Sequence, residues 1–292
     1  MARRRNVDLR SGIGRGFGAA ALLSPATALM TVAFILPMIW LVRLSLDRAE
    51  DGGVLIRDVS LATYAAFFGD PFYRGILWRT FGLGITVTLL TLICSYPIAL
   101  FLFRTRSRWR TVLAVLTVSP MLVSSVVRTF SWMTILGDRG IVNQVLLFLG
   151  MIHHPLALMN NLLGVYIGLT QIEMPVMVLA LIAGFARLDP TMEEAARSLG
   201  AAPWRAFLRV TVPLSAPGIL VGCLITFVQV TSSFVTPTLL GGGRVYVMAT
   251  MIYQEALETL NWPLGAAISI ILIVVLLACL AGYERVERRW EA

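Results

Sequence analysis

The sequence predicts an all-α polytopic membrane protein with six transmembrane helices and one helical hairpin on the cytoplasmic side. Of its 292 residues, 58% are hydrophobic and only 14% are charged, and the mean hydropathy is +0.81. A typical soluble domain carries about 25% charged residues, so this composition indicates a chain embedded in lipid. The charged residues cluster between long apolar runs, as they do in proteins with several membrane-spanning helices.

Six apolar runs are long enough to cross a bilayer, whose hydrocarbon core of about 30 Å requires about 20 helical residues. They lie at residues 19–46, 78–103, 111–136, 162–186, 213–236 and 263–283. The first run lacks the small-residue cleavage site of a signal peptide and is too long for one, so it counts as a span. The membrane domain is expected at residues 19–283, between tails at 1–18 and 284–292.

All 24 basic residues are arginines, and their distribution predicts the orientation. With a cytoplasmic N-terminus, the arginines on inner segments are Arg3, Arg4, Arg5, Arg10, Arg15, Arg104, Arg106, Arg108, Arg110, Arg187, Arg197, Arg205, Arg209, Arg285, Arg288 and Arg289. Those on outer segments are Arg43, Arg48, Arg57, Arg74, Arg79, Arg139 and Arg244. Because basic residues favour cytoplasmic loops, both termini are expected in the cytoplasm. The net charge of +8 therefore requires no nucleic acid partner.

The longest outer connection covers residues 47–77 and contains several aromatic residues among Asp and Gly. The aromatic residues are Tyr64, Phe67, Phe68, Phe72 and Tyr73. An apolar, aromatic segment between two spans is typical of a helix that lies in the membrane interface. We therefore expect such a helix in part of this connection.

Several kinds of chemistry are excluded by the residue composition. No lysine occurs, so the chain has neither a phosphate-binding P-loop nor a Schiff-base lysine. Cys94, Cys223 and Cys279 lie inside apolar runs, which favours core residues over disulfides. His153 and His154 are adjacent and lack the spacing of metal ligands. We expect no catalytic residue, no metal site and no cofactor bound by this chain.

The cytoplasmic connection between the fourth and fifth spans, residues 187–213, is too polar to span the membrane and begins with strong helix signals. Asp189 can cap a helix that starts at Pro190, because its carboxylate can accept from the free backbone amides of the first turn. Glu193 and Arg197 are four residues apart, in the order that favours an ion pair. The pattern predicts a short helix on the cytoplasmic face.

A turn and a second helix are expected to follow. Gly200 can take the left-handed conformation that ends a helix. A second short helix is expected from Pro203, before Pro213 opens the next span. The connection therefore predicts a helical hairpin.

The hairpin also carries a spaced motif. Glu194, Ala195 and Ala196 are followed by Gly200 and then by Val210-Thr211-Val212-Pro213. This resembles the E-A-A, three residues, G, nine residues, I-x-L-P signature of the inner-membrane components of binding-protein-dependent ABC importers, with Val replacing Ile and Leu. The resemblance implies that the hairpin is the coupling helix that docks into a groove of an ATPase subunit. In that role Ala195 and Ala196 permit close packing, Gly200 makes the turn, and Glu194 supplies a polar contact or cap.

Further similarity runs from residue 64 to residue 283 and is nearest to the spermidine/putrescine-type permeases. The similar pieces are Asp70-Pro71-Phe72-Tyr73, Val127-Arg128-Thr129-Phe130-Ser131-Trp132, Phe234-Val235-Thr236-Pro237 with Leu240-Gly241-Gly242, and Glu258-Thr259-Leu260-Asn261-Trp262-Pro263. The resemblance implies a permease subunit that moves a polyamine into the cytoplasm. An amino-acid-like or opine-like solute is an alternative for the same importer class. A secondary transporter is a further alternative. The lack of internal repeats in the sequence argues against it.

The resemblance also implies partners and a location. They are a second permease subunit, identical or paralogous, two ATPase subunits that bind ATP and Mg²⁺, an external solute-binding protein and the lipid of a bacterial inner membrane. Six spans from one chain form only half of a sealed pathway, which agrees with a second permease subunit.

Two ionisable residues, Arg128 and Glu173, lie within predicted spans. At the centre of a membrane helix each costs about 2.5 to 3.5 kcal/mol on insertion scales, so both should face protein or water. Arg128 can be structural or reach the outer interface. Glu173 is close to Pro175 and can either contact a cationic solute or pair with Arg128. Both interpretations remain open here.

Four aromatic residues are candidates for the lining of the solute pathway: Phe130, Trp132, Phe227 and Phe234. The face of an aromatic ring attracts an organic cation. The alternative for each ring is ordinary packing between helices.

Overall fold

A computed structural model describes residues 11–50, 54–105, 107–186 and 188–291 of the chain. Its helices are α1 (Ser11–Ser45), α2 (Ala62–Gly69), α3 (Pro71–Arg104), α4 (Trp109–Val118), α5 (Ser125–Leu136), α6 (Ile141–Phe148), α7 (Leu162–Phe185), α8 (Pro190–Ser198), α9 (Pro203–Ala206), α10 (Val212–Leu214), α11 (Ala216–Thr231), α12 (Val235–Gly241), α13 (Met248–Tyr253) and α14 (Trp262–Glu291). Two short strands, β1 (Arg48–Glu50) and β2 (Val54–Ile56), pair antiparallel after α1. Arg3, Arg4, Arg5, Arg10, Arg106 and Arg187 lie outside the described residues.

Four helices in the described part of the chain are long and apolar enough to cross a membrane. They are Leu23–Ser45 within α1, Pro71–Arg104, Leu162–Phe185 and Trp262–Arg285 within α14. Two bent pairs raise the number to six if each pair is one span: Trp109–Leu122 with Ser125–Phe148, and Pro203–Leu214 with Ala216–Thr231. The predicted all-α fold with several spans is confirmed, and two of the predicted spans correspond to bent pairs of helices.

The third span is not the single helix expected at residues 111–136. Its two parts, Trp109–Leu122 and Ser125–Phe148, meet at an angle of 106°. The first part ends in a 3₁₀ turn, Ser119–Leu122, that contains Pro120. Proline has no N–H for the helical hydrogen bond, and Val123 then takes an extended conformation with ψ of 134°. The break follows from this proline, which the apolar pattern alone does not register.

The fifth span also differs from its predicted limits of 213–236. Helix α11 begins at Ala216, and the helical segment before it, Pro203–Leu214, is inclined by 64°. Pro213 therefore lies ahead of the bend and does not open the span. A π-helical turn, Phe207–Thr211, precedes it, and the N–H of Val212 reaches back to the carbonyl of Phe207. Because Pro213 cannot donate, this wider turn accommodates the missing hydrogen bond.

The connection predicted at residues 47–77 contains the expected helix, α2, but is shorter than predicted. Helix α3 begins at Pro71, and Asp70 caps it by accepting from the backbone N–H of Phe72 at 2.8 Å. The Phe67 ring is buried and stacks on Tyr73 with 5.5 Å between ring centroids. Helix α2 is thus fixed to the start of the second span. At the other end of the chain, α14 continues without interruption through residues 284–291.

The core of the protein lies where α3, α7 and α11 pack together. Glycines allow the closest approach, since a Cβ atom built on Gly184 would lie 2.5 Å from Cα of Gly218 on the facing helix. Small residues at such crossings are typical of membrane helices, which lack a hydrophobic driving force between them and associate through close packing. In contrast, no residue of α1 from Leu23 to Leu44 is buried, which leaves this part of the helix free to face lipid or another subunit.

Candidate functional site

The first helix of the hairpin in residues 187–213 forms as its sequence signals predict. Asp189 accepts from the backbone N–H of Thr191 at 2.9 Å, and this hydrogen bond lowers the pKa of the Asp189 carboxyl below its usual value. Pro190 is the first residue of α8. Glu193 and Arg197 form the i, i+4 ion pair, with 2.7 Å between Oε1 and Nη2. Helix α8 is therefore stabilised at both its first and last turns.

Gly200 ends this helix in the left-handed conformation, with φ of +89°. Its N–H donates to the carbonyl of Arg197 at 2.9 Å, and the N–H of Ala201 donates to the carbonyl of Ala196 at 3.1 Å. This pair of bonds is the Schellman arrangement, which satisfies two carbonyls at a helix end. A Cβ atom at Gly200 would have no neighbour within 4 Å, so backbone conformation and not space requires glycine.

The motif residues of the hairpin lie on an accessible surface. Glu194 and Ala195 are exposed and Ala196 is half-buried. Near them in sequence, Leu199 is 90% exposed and Trp204 is 61% exposed. Large apolar side chains this exposed on a polar hairpin are typical of a surface that another protein covers.

Arg128 and Glu173 line one cavity of about 370 Å³, together with Phe234. The other lining residues are Met121, Ser125, Ile172, Val176, Gln229, Ser232, Ser233, Val235 and Thr236. The cavity lies between α5, α7 and the break that separates α11 from α12. Its lining combines one acid, one base, several hydroxyl and amide groups and one aromatic ring.

The two charged side chains in this cavity do not form an ion pair with each other within the described structure. Arg128 instead donates from Nη1 to the carbonyl of Ile172 at 3.1 Å, three residues before Pro175 in α7. Glu173 is only 6% exposed, and its Oε2 atom has no hydrogen-bond partner. A buried carboxylate oxygen without a partner is costly, which marks this atom as an open acceptor.

The four aromatic candidates occupy different environments. Phe234 lines the central cavity and also a second one of about 170 Å³, where it lies 4.6 Å from Tyr253 between ring centroids. Trp132 lies one turn beyond Arg128 on α5 and donates from Nε1 to Gln171 at 2.9 Å. Only Phe234 of the four therefore lines the cavity of Arg128 and Glu173, and Trp132 lies beside it.

Phe227 and Phe130 do not line the cavity. The Phe227 ring is 6.0 Å from that of Phe81 and fills the space beside Gly84 on α3. Phe130 is 52% exposed on the surface of α5. The polar residues Gln229, Ser232 and Ser233 line the cavity but were not among the predicted residues. Their signal in the sequence is a polar cluster at the end of an apolar run, which ends four residues before Pro237.

Comparison with known proteins agrees with this architecture. The family described as binding-protein-dependent transport system inner membrane component matches residues 92–292. The spermidine/putrescine transport system permease protein PotB of Escherichia coli K12 is 32% identical over 253 residues, which cover 87% of this chain and 92% of that protein. PotB of Haemophilus influenzae is 32% identical over 230 residues, covering 79% and 80%.

Among solved structures, a chain of the bacterial alginate ABC transporter in complex with its alginate-bound periplasmic protein has a TM-score of 0.76 at 21% identity. The match covers 97% of this chain and 98% of that one. A chain of the MetNI methionine ABC transporter has a TM-score of 0.58 at 14% identity, covering 76% and 99%. These likenesses concern the fold. The family match and the PotB relatives together establish that the chain belongs to the binding-protein-dependent transport system inner membrane components and is a multi-pass permease subunit of an ABC importer.

Proposed function

We propose that this permease carries an organic cation of the polyamine type through the cavity that contains Glu173. The observation that carries the proposal is the open Oε2 atom of Glu173, buried in that cavity and free of any ion pair among the described residues. An ammonium group would supply both the charge and the hydrogen bond that this oxygen lacks. Phe234 presents an aromatic ring to the same cavity, which suits the methylene chain or the charge of such a solute. The relatives named as spermidine/putrescine permeases support the same solute class.

Arg128 favours a second candidate, a zwitterionic solute that resembles an amino acid or an opine. Its guanidinium lines the cavity that contains Glu173, and its Nε atom has no hydrogen-bond partner. A carboxylate on the solute would bind Arg128 while an ammonium group on the same molecule binds Glu173. A polyamine would bind only on the acidic side of the cavity. Transport of a zwitterion would therefore require Arg128, and transport of a polyamine would not.

The complete importer in this proposal contains a second permease subunit, most simply a paralogue, two ATPase subunits and an external solute-binding protein. ATP and Mg²⁺ bind to the ATPase subunits, and this chain takes its energy from them through the hairpin of α8 and α9. The exposed Leu199 and Trp204 side chains support docking of that hairpin into a groove. Both termini lie in the cytoplasm in this arrangement, because most arginines then occupy inner segments.

Reconstitution of the importer into proteoliposomes tests the solute. The complex is assembled with the ATPase, permease and binding-protein genes that neighbour this one, and uptake of radiolabelled spermidine, putrescine, an amino acid and an opine is compared. The polyamine proposal expects ATP-dependent uptake of the first two, lost in Glu173→Gln and kept in Arg128→Gln. Glu284→Gln, an exposed carboxylate at the inner end of α14, is the matched control.

Two other outcomes are informative. The unaltered importer could instead take up an amino acid or opine, with uptake lost in both Glu173→Gln and Arg128→Gln. That result would contradict the polyamine proposal and support a zwitterionic solute. Polyamine uptake that is unchanged in Glu173→Gln would contradict the role of that carboxylate.

A further inference from the structure

Glu193 joins three separate elements at the inner end of the molecule. Its Oε2 atom binds the guanidinium of Arg104, in the last turn of α3, and accepts from Oγ1 of Thr211 at 2.9 Å. Its Oε1 atom accepts from Arg197 of α8 at 2.7 Å. The Glu193 side chain is only 16% exposed, although α8 as a whole is a surface helix. One carboxylate thus connects the hairpin to a span and to the π-helical turn that precedes α11.

The elements that it joins reach far into the protein. Helix α3 continues from Arg104 through the core, where it packs against α7 and α11. Thr211 is 4% exposed and ends the π-helical turn, four residues before the bend into α11. A displacement of α8 therefore has two short routes into the membrane domain, and both pass through the carboxylate of Glu193.

The neighbouring carboxylate makes a useful contrast. Glu194 follows Glu193 directly, is exposed, and takes part in none of the ion pairs of the described residues. Successive residues of a helix point about 100° apart, so Glu194 is directed away from the cluster that Glu193 occupies. Contact with a partner therefore falls to Glu194 and the exposed apolar residues, and attachment to the membrane domain falls to Glu193.

We infer that Glu193 is a positioning residue that makes the hairpin, the inner end of α3 and the π-helical turn before α11 move as one unit. This inference rests on the proposed docking of the hairpin onto an ATPase. Motion imposed on α8 when the ATPase closes on ATP is carried by the Glu193 carboxylate to Arg104 and Thr211. Without the carboxylate, α8 shifts alone and the spans follow it poorly.

Hydrogen exchange on the assembled importer tests the inference without knowledge of the solute. Amide exchange is compared with and without ATP, in a complex whose ATPase subunits bind but do not hydrolyse it. In the unaltered permease, ATP is expected to change exchange in both α8 and residues 100–105. In Glu193→Gln the change in amide exchange caused by ATP should persist in α8. The same change in residues 100–105 should fall about tenfold, as expected for loss of a hydrogen bond to a charged group. A purely structural role would alter exchange equally with and without ATP.

Matched variants make the test specific. Arg104→Gln should reproduce the effect, because it removes the same link from the side of α3. The double variant should lose no more of the ATP response in residues 100–105 than Glu193→Gln alone, because both changes break the same connection. Arg104 and Glu193 line a cytoplasmic cavity of about 520 Å³. Arg110 lines the same cavity but forms no ion pair within the described structure, so Arg110→Gln is the control.

The outcomes separate this inference from the proposed function. An ATP response of residues 100–105 that is unchanged in Glu193→Gln and in Arg104→Gln would overturn the inference, as would an equal loss in Arg110→Gln. If Glu193→Gln does not assemble, Arg104→Gln decides alone, because it leaves Arg197 and Thr211 bound to Glu193. If ATP changes exchange nowhere in the unaltered permease, the proposed docking of the hairpin fails, and the inference fails with it.

Discussion

Glu173, Glu193 and Glu194 are the same residue type in three environments, and the environment decides what each can do. Glu173 is buried with an open oxygen, Glu193 is held by two arginines and a threonine, and Glu194 is exposed. The sequence identifies Glu173, because a charge inside an apolar run is costly unless it has a function or a partner. It also predicts the local pair of Glu193 with Arg197. It contains no signal for the contact with Arg104, which is 89 residues away.

The first residue-scale prediction concerns Glu173. Since Arg128 binds a backbone carbonyl and not Glu173, Glu173→Gln should leave the thermal stability of the purified complex unchanged. Uptake of a cationic solute should fall at least about tenfold, because a charge-assisted hydrogen bond is lost. Had the two residues been a buried ion pair, the same change would cost about 3 to 5 kcal/mol, and substitution of both would restore stability. Melting curves and uptake, measured side by side for the two single variants and the double, distinguish these cases.

A second residue-scale prediction concerns Gly200, whose φ is +89°. Gly200→Val should strain the hairpin by at least about 1 to 2 kcal/mol, because a β-branched residue is disfavoured in the left-handed region. The strain is confined to a surface turn, so membrane insertion should be normal while transport per ATP hydrolysed falls. Gly69→Val, at a site where a Cβ atom also has no neighbour within 4 Å and φ is not positive, serves as the control. Equal transport per ATP hydrolysed in Gly200→Val and Gly69→Val would argue against a role for the turn.

At the scale of elements, the sequence predicts helices better than it predicts their breaks. The six apolar runs and the hairpin signals at Asp189, Gly200 and Pro203 correspond to helical segments in the structure. The bends at Val123 and Ser215 were not predicted, since a mean hydropathy over 20 residues does not register a local loss of hydrogen bonds at Pro120 or Pro213. Helix ends shift for the same reason: Asp70 and Pro71 start α3 early through capping, which is a local effect.

Helix packing provides the element-scale prediction. Gly184→Ala should push α7 away from α11, because the added Cβ atom would lie 2.5 Å from Cα of Gly218. Overpacking of this kind costs about 1 to 3 kcal/mol, which should lower the melting temperature of the purified protein. Gly82→Ala on α3 is the matched control, since a Cβ atom there has no neighbour within 4 Å and alanine favours a helix. A melting temperature for Gly184→Ala equal to that of Gly82→Ala would show that the crossing is looser than described.

At the scale of the whole molecule, the cavity is the feature that sequence patterns define least. Arg128 lies on α5, Glu173 on α7 and Phe234 in the break between α11 and α12, and only the packing of these elements brings them together. Aromatic residues illustrate the difficulty, because Phe227 and Phe234 lie in the same predicted span at residues 213–236, yet Phe227 fills the space beside Gly84. Which ring faces the cavity depends on partners distant in sequence, so the sequence offers Phe227 and Phe130 as candidates although neither lines this cavity.

The orientation of the whole molecule in the membrane is the last prediction, and it follows from the arginine distribution. Positively charged residues are retained on the cytoplasmic side during insertion, so Arg108 in the connection between α3 and α4 and Arg110 at the start of α4 should be inside. The loop before α7, which contains His153 and His154, should be outside. A single cysteine at position 107 or 154, after replacement of Cys94, Cys223 and Cys279 by serine, can be labelled with a membrane-impermeant maleimide. Ser107→Cys should react only in opened membranes, and His154→Cys should react in intact cells whose outer membrane is permeable. Ser107 and His154 are both exposed in the structure, so a failure to react would reflect the membrane and not burial. The reverse pattern would place the hairpin of α8 and α9 on the outer side, where no ATPase could reach it, and would contradict the proposed coupling together with the topology.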